Sequence, residues 1–308
     1  MKVGMVVPIV DEGAGTPPWS RVISLARQAE AGGIDSLWVI DHLVLGNAQR
    51  PEYGLHEAIV VLSALAAATE RPQLGTLVLA TSFRPPAVLA KMAVTVDDIS
   101  GGRLILGLGC GWHEPEYRAF GFPFDHRVGR FEESLSIIVP LIHGERVTFH
   151  GRWSQVDDCA LLPVPNRDIP IMIASKGERM LRLTARYAQA WNCAWFGFPN
   201  ARYHQRVADL YAACEVEGRD PAAIDITVGI EIDNGDVADR TGLGEHLPAD
   251  PSAIADALAA WGSQGVAHVQ LNSGPMDERL VDLCLEALAR FRGAEAMSLA
   301  APAGVALD

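Results

Sequence analysis

Residues 97–111, "DDISGGRLILGLGCG", run from a helical ending through two glycines into an apolar stretch. How that order is read decides the fold. A glycine just past a helix takes the left-handed conformation that stops it. A continuous apolar run straight afterwards suits a strand covered on both faces of a parallel sheet. The same order recurs in "AEAGGIDSLWVIDH" at 29–42 and "WGSQGVAHVQLNSG" at 261–274. Working outward, strands are expected near 2–9, 35–42, 73–80, 103–110, 170–175, 189–195, 225–232 and 268–273. Helices are expected near 19–31, 56–69, 86–99, 127–142, 178–187, 200–217, 251–262 and 277–291. The fourth helix carries Phe131, Leu135, Ile138 and Ile142 at helical spacing, and the last carries Leu280, Cys284, Leu288 and Phe291, so both present an apolar stripe to a core.

Eight strands, each followed by a helix, fit an α/β (β/α)8 TIM barrel, with a doubly wound open sheet as the alternative. Nothing marks a linker, so residues 1–293 are expected to form a single barrel domain, and the alanine-rich 294–308 a disordered tail. Short insertions are expected at the C-terminal face. Residues 143–165 alternate like a hairpin before the fifth strand.

The chain has 308 residues, is 49% hydrophobic and carries a net charge of −13. That charge argues against a nucleic-acid or anionic-membrane partner, both of which need a basic footprint. Five scattered cysteines with no C-x-x-C or H-x-H cluster suggest neither a disulfide framework nor a metal site. With no signal peptide or membrane-length apolar run, a cytoplasmic protein is expected.

In such barrels the site lies at the C-terminal ends of the strands. Asp41-His42 ends the second strand, either as an acid–base pair or as a hydrogen-bonded pair closing the strand. Gly107, Gly109 and Gly111 share one face of the fourth strand. Either the interior is too tight for side chains there, or a planar ligand lies against bare backbone. Because "WHEPEY" follows in place of an immediate helix, G-x-G-x-G fails as a dinucleotide fingerprint. Ser175, Lys176 and Gly177 lead into the fifth helix, as an anion cradle or as an ordinary capping turn. Arg127 and Arg130 at the start of the fourth helix oppose its dipole unless they hold an anion or a nearby acid. The sixth strand is expected to end at Trp191-Asn192, and Trp112, Trp191 and Trp195 either wall a flat ligand or simply pack.

Taken together, "DDISGGRLILGLGCGWHEPEYRAFGFPFDHRVGRFEESLSII" resembles the luciferase-like flavin-dependent oxidoreductases, and most of all their coenzyme F420-dependent branch. The likeness extends over Asp41-His42, "LGTLVLATSFRPPAVLAK" at 74–91, "FHGRWSQVDD" at 149–158 and "IPIMIASKGERMLRLTARYAQAWN" at 169–192. It implies a barrel that holds a deazaflavin ring at its mouth and passes hydride to or from a small organic substrate, with His42 in proton transfer and Asp41 as its electrostatic or orienting neighbour. It implies a cis peptide at Leu77-Val78 behind the ring, and Gly109, Cys110, Gly111, Ser175 and Gly177 beside the cofactor chain and phosphate. Lys176, Trp191 and Asn192 are expected at the same cofactor site. Arg127 matches a phosphate-binding position of the flavin users, and members are often homodimers. Two alternatives remain: an FMN-dependent monooxygenase using reduced flavin and O2, and a flavin-binding barrel without catalysis. Cys110 stands where some flavin users carry an arginine. Trp112 stands where sugar-phosphate dehydrogenases of the F420 branch carry an acid, which leaves no second catalytic acid assigned.

Overall fold

The computed structural model describes residues 1–10, 17–47, 50–233, 245–274 and 276–300. Eight parallel strands form the frame: β1 Lys2–Val6, β2 Ser36–Val39, β3 Gln73–Thr76, β4 Leu104–Gly109, β5 Ile171–Ala174, β6 Ala190–Phe196, β7 Asp225–Asp233 and β8 His268–Ser273. Each pairs with the next, and β8 pairs with β1, so the sheet closes on itself. Helices α1 Trp19–Ala31, α2 Ala58–Ala68, α3 Pro86–Ile99, α4 Arg127–Ile142, α5 Glu178–Tyr187, α6 Ala201–Glu217, α7 Pro251–Ser263 and α8 Glu278–Ala300 follow the strands in turn. This is the (β/α)8 barrel expected, not the open sheet.

The strands read as unbroken apolar runs because both faces are covered: β2 and β4 are buried at every position. Their outward faces join the helices in one large core, which includes Phe131, Leu135, Ile138 and Ile142 of α4 and Leu280, Cys284, Leu288 and Phe291 of α8. A second, smaller apolar cluster of Val6, Trp38, Ile105 and Met172 fills the barrel interior. Trp38 takes up the space that glycines leave on both neighbouring strands. A Cβ at Gly4 would come within 2.4 Å of its Nε1, and one at Gly75 within 2.2 Å of its Cζ3. Deeper polar groups satisfy one another: Trp38 Nε1 donates to Ser36 Oγ (2.7 Å), which also bonds His268 Nε2 (2.7 Å).

The insertions gather towards the C-terminal ends of the strands. Val44–Asn47 pairs with Arg50–Gly54 after β2, and a short helix, Glu114–Ala119, follows β4. The hairpin Val147–His150/Gln155–Cys159 precedes β5, as expected. Its turn climbs back to the start of α4, where the Glu133 carboxylate accepts from the N–H groups of Arg152 (2.7 Å), Trp153 (2.9 Å) and Ser154 (2.9 Å). Helix α8 runs on to Ala300, past residue 294 where a disordered tail was expected to begin; residues 301–308 lie outside the described residues.

Candidate active site

The C-terminal ends of β2 to β6 surround a cavity of about 490 Å³. Of the residues expected at the site, Asp41, His42, Leu77, Val78, Gly109, Cys110, Gly111, Arg127, Ser175, Lys176 and Asn192 line it. Gly177 and Trp191 do not. Gly177 is the N-cap residue of α5, at φ 81°, and a Cβ there would meet open space. Trp191 is fully buried on the helix side of β6, where its Nε1 donates to Ser175 O (3.1 Å). Strand alternation explains this: with Asn192 turned inward, its neighbour must turn outward. Asn192 donates to Thr227 Oγ1 and Gln270 Oε1, both at 2.9 Å.

The Asp41-His42 pair separates into two unrelated contacts. Asp41 is buried and held by Arg84, whose Nη1 and Nη2 each donate to one carboxylate oxygen at 2.8 Å, and it also accepts from Ala80 N–H (2.9 Å). Arg84 is bonded to Glu57 as well. Asp41 therefore ties the end of β2 to the segment after β3, and the expectation that it orients His42 is corrected. Glu116 occupies that place. Its side chain is 1% exposed; Oε1 lies 3.0 Å from His42 Nδ1, and Oε2 accepts from Leu43 N–H at 3.0 Å. The imidazole also lies edge-on to Trp112 and His113, at 5.4 and 6.3 Å between ring centres. Burial holds His113 below the usual histidine range.

The three glycines are bare because the protein's own atoms fill their Cβ positions. A Cβ at Gly107 would lie 1.8 Å from Thr76 O, one at Gly109 2.7 Å from Val78 Cγ2, and one at Gly111 1.8 Å from the Tyr117 hydroxyl. Tight packing is thus the reason for the stripped face, although Gly109 and Gly111 still border the cavity. Leu77-Val78 is a cis peptide and forms apolar cavity wall with Ala80 and Ala174. A second non-proline cis peptide, Ala194-Trp195, had no signal in the sequence reading. Its carbonyl, Ala194 O, accepts from Arg206 Nη1 (3.3 Å), and the next one, Trp195 O, accepts from Arg202 Nη2 (2.6 Å).

Arg127, Lys176 and Arg206 line the same cavity, and among the described residues none of the three has a carboxylate partner. Arg127 donates to Gly111 O (2.9 Å) and stacks over Phe124 at 3.9 Å. Arg130, by contrast, is neutralised by Asp125 at 3.0 Å, and Arg202 by Glu245. Burial and Arg202 pull Arg206 below the usual arginine range. Ser175 Oγ is bonded to Thr184 Oγ1 (2.8 Å), so at this turn the free charge is that of Lys176. Burial pushes the Cys110 thiol up, with Arg127 acting against it.

The site therefore has an apolar wall, a basic arc from β4 to β6, and an imidazole on a buried carboxylate at its β2 end. An anion-bearing flat molecule matches that layout. Arginine 84, Glu116 and Arg206 were missed because each acts on a partner distant in sequence; an acid beside an aromatic in "EPEY" was the only visible hint for Glu116.

Known proteins bear on this geometry. The luciferase-like monooxygenase family profile matches residues 1–236. Pyrimidine monooxygenase RutA of Agrobacterium fabrum is 30% identical over 292 residues, 89% of this chain and 78% of the relative. Among solved structures, an F420-dependent secondary alcohol dehydrogenase superposes with a TM-score of 0.77 at 17% identity, covering 94% of this chain and 99% of that one. EDTA monooxygenase from Chelativorans sp. BNC1 superposes with a TM-score of 0.77 at 15% identity, covering 96% and 94%. At those identities the two structures speak for the fold alone. The extended match of sequence, carried on a closed barrel with a basic, apolar-walled mouth, makes this chain an enzyme of the luciferase-like monooxygenase family.

Proposed function

We propose that the protein is an FMN-dependent monooxygenase that uses reduced flavin and O2 to oxygenate a small organic substrate. This reverses the order in which the sequence resemblance placed F420 and FMN. Beyond the motifs of that resemblance, the likeness to an F420-dependent enzyme is to a structure at 17% identity, whereas the relative at 30% identity carries the name of a monooxygenase. The observation that carries the reading is the run of unpaired cations, Arg127, Lys176 and Arg206, beside an apolar wall in a single cavity. A phosphate dianion and a tricyclic ring need those two surfaces together.

Arg127, Lys176 and the free amides at the start of α5 would hold the phosphate, with Leu77, Val78, Ala80 and Ala174 against the ring. Bound in reduced form, FMN supplies the electrons that activate O2 for transfer of one oxygen atom. The protein contributes position, exclusion of water and a proton site at His42. A pyrimidine base is the first substrate to test, since the relative's name includes it.

The test is a titration of purified apoprotein with FMN and with F420, followed by tryptophan fluorescence. FMN should bind more tightly, and R127A should weaken it about 10- to 100-fold, as expected for loss of a charge-assisted contact. Preferential F420 binding, or an R127A variant with unchanged FMN affinity, overturns the proposal. Oxygen consumption with product formed from the substrate separates the enzyme from a barrel that only carries flavin.

A further inference from the structure

Resting on that reading, we propose that Glu116 is a positioning residue: it fixes His42 in the Nδ1–H tautomer and so presents the Nε2 lone pair to the cavity as a proton acceptor. The chain places Glu116 by an indirect route. Tyr117, fully buried, sets its hydroxyl into the space that Gly111 leaves and donates to Cys110 O (3.0 Å), which docks the short helix 114–119 onto the end of β4. Phe83 and Phe124 pack on the same ring at 5.0 and 5.2 Å. The preceding residue, Glu116, then reaches across to the end of β2.

An ionised carboxylate only accepts hydrogen bonds. Both oxygens of Glu116 are engaged, one by Leu43 N–H and one by His42 Nδ1, so the hydrogen on that side of the ring must sit on Nδ1. Nε2 is then the nitrogen left for the cavity that His42 lines. When Nε2 takes a proton from a substrate, the positive ring faces a buried carboxylate that is already in place. Burial raises the stake, since a carboxylate enclosed here without its two donors would be costly. Asp41, the acid adjacent in sequence, cannot substitute, because Arg84 holds both of its oxygens.

The experiment reads the tautomer directly. Apoprotein labelled with 15N-histidine is compared with E116Q in long-range 1H–15N correlation spectra, with H42Q assigning the ring. The wild type should show Nδ1 protonated and Nε2 bare. Glutamine offers one acceptor oxygen to two donors and adds an N–H2 of its own, so E116Q should gain the Nε2–H form. In turnover with reduced FMN and O2, kcat should fall about 10²-fold or more, the range of a misplaced general base, while KM and FMN affinity stay within about threefold. A wild-type ring in the Nε2–H form overturns the proposal even if E116Q fails to fold. So does an E116Q protein that keeps the wild-type tautomer or kcat. If the wild type binds F420 rather than FMN, the functional reading falls, and the tautomer comparison still decides Glu116.

Discussion

Replacing Gly111 with alanine strikes the contact from which the site hangs. Gly111 sits at φ 70°, and a Cβ there would meet the Tyr117 hydroxyl at 1.8 Å and Cζ at 2.7 Å. Left-handed backbone costs a non-glycine residue about 1 kcal/mol, and forcing extra volume into a packed contact costs about 1–3 kcal/mol. G111A should therefore lose roughly 2–4 kcal/mol of unfolding free energy. Y117F removes the atom at 1.8 Å together with its hydrogen bond to Cys110 O, and alone should cost about 1 kcal/mol. Because Cζ remains at 2.7 Å, relief in the double variant is partial: G111A/Y117F should be about 1–2 kcal/mol less destabilised than the two single losses imply. Urea unfolding, followed by tryptophan fluorescence and fitted with a shared m-value, gives all four corners of the cycle. Additivity within about 0.5 kcal/mol would show that the Tyr117 hydroxyl does not occupy the Gly111 Cβ position.

Two further perturbations test how the barrel holds its buried charges. D41N removes one member of a buried, doubly bonded ion pair and leaves the Arg84 guanidinium, with a side chain 8% exposed, to Glu57 alone; the loss should be about 3–5 kcal/mol in urea unfolding, and a loss under about 1 kcal/mol would refute a structural role for Asp41. His268 is buried and pushed down to about 3, chiefly by desolvation. The unfolded chain binds this proton near pH 6.5 and the folded one does not. Its contribution to stability is therefore complete above about pH 6.5 and is lost, at about 1.4 kcal/mol per pH unit, as the pH falls towards 3. Between pH 6.5 and 5 the wild type should lose about 2 kcal/mol relative to H268Q. A wild-type-minus-variant difference that stays constant over this range refutes the assignment.

The frame was legible because each barrel strand is buried on both faces, so that it reads as an apolar run, and because glycines such as Gly33, Gly101 and Gly265 lie at positive φ where the helices end. Alanine richness after residue 294 is ambiguous: alanine is the strongest helix former, and α8 continues through this stretch to Ala300, while residues 301–308 lie outside the described residues. At the site, position along the chain showed which residues reach the mouth and not what each one touches. Asp41 and His42 are adjacent in sequence, yet one turns to Arg84, 43 residues on, and the other to Glu116, 74 residues on. Strand alternation could have excluded Trp191 once Asn192 was taken as inward. The spacing placed Gly107 and Gly109 on one face of β4, but Gly111 lies past the strand end at φ 70°, where alternation no longer applies, and nothing in the spacing could show that Thr76 O, Val78 and Tyr117 fill the three Cβ positions.

The same partners explain why a chain of net charge −13 keeps a basic cavity. The two buried acids that border the cavity are both committed, Asp41 to Arg84 and Glu116 to His42 and Leu43 N–H, so neither is free to neutralise Arg127, Lys176 or Arg206. A half-buried cation with no counter-charge is costly until an anion arrives. Arg206 shows part of that cost: burial and Arg202 draw it below the usual arginine range, and the charge of Glu245 offsets them only in part. Were Asp41 released from Arg84, an acid would be left facing this cavity and would compete with any incoming phosphate. The Asp41–Arg84 pair thus works at a distance from the chemistry: by holding one carboxylate, it leaves the positive charge across the barrel mouth available to a ligand.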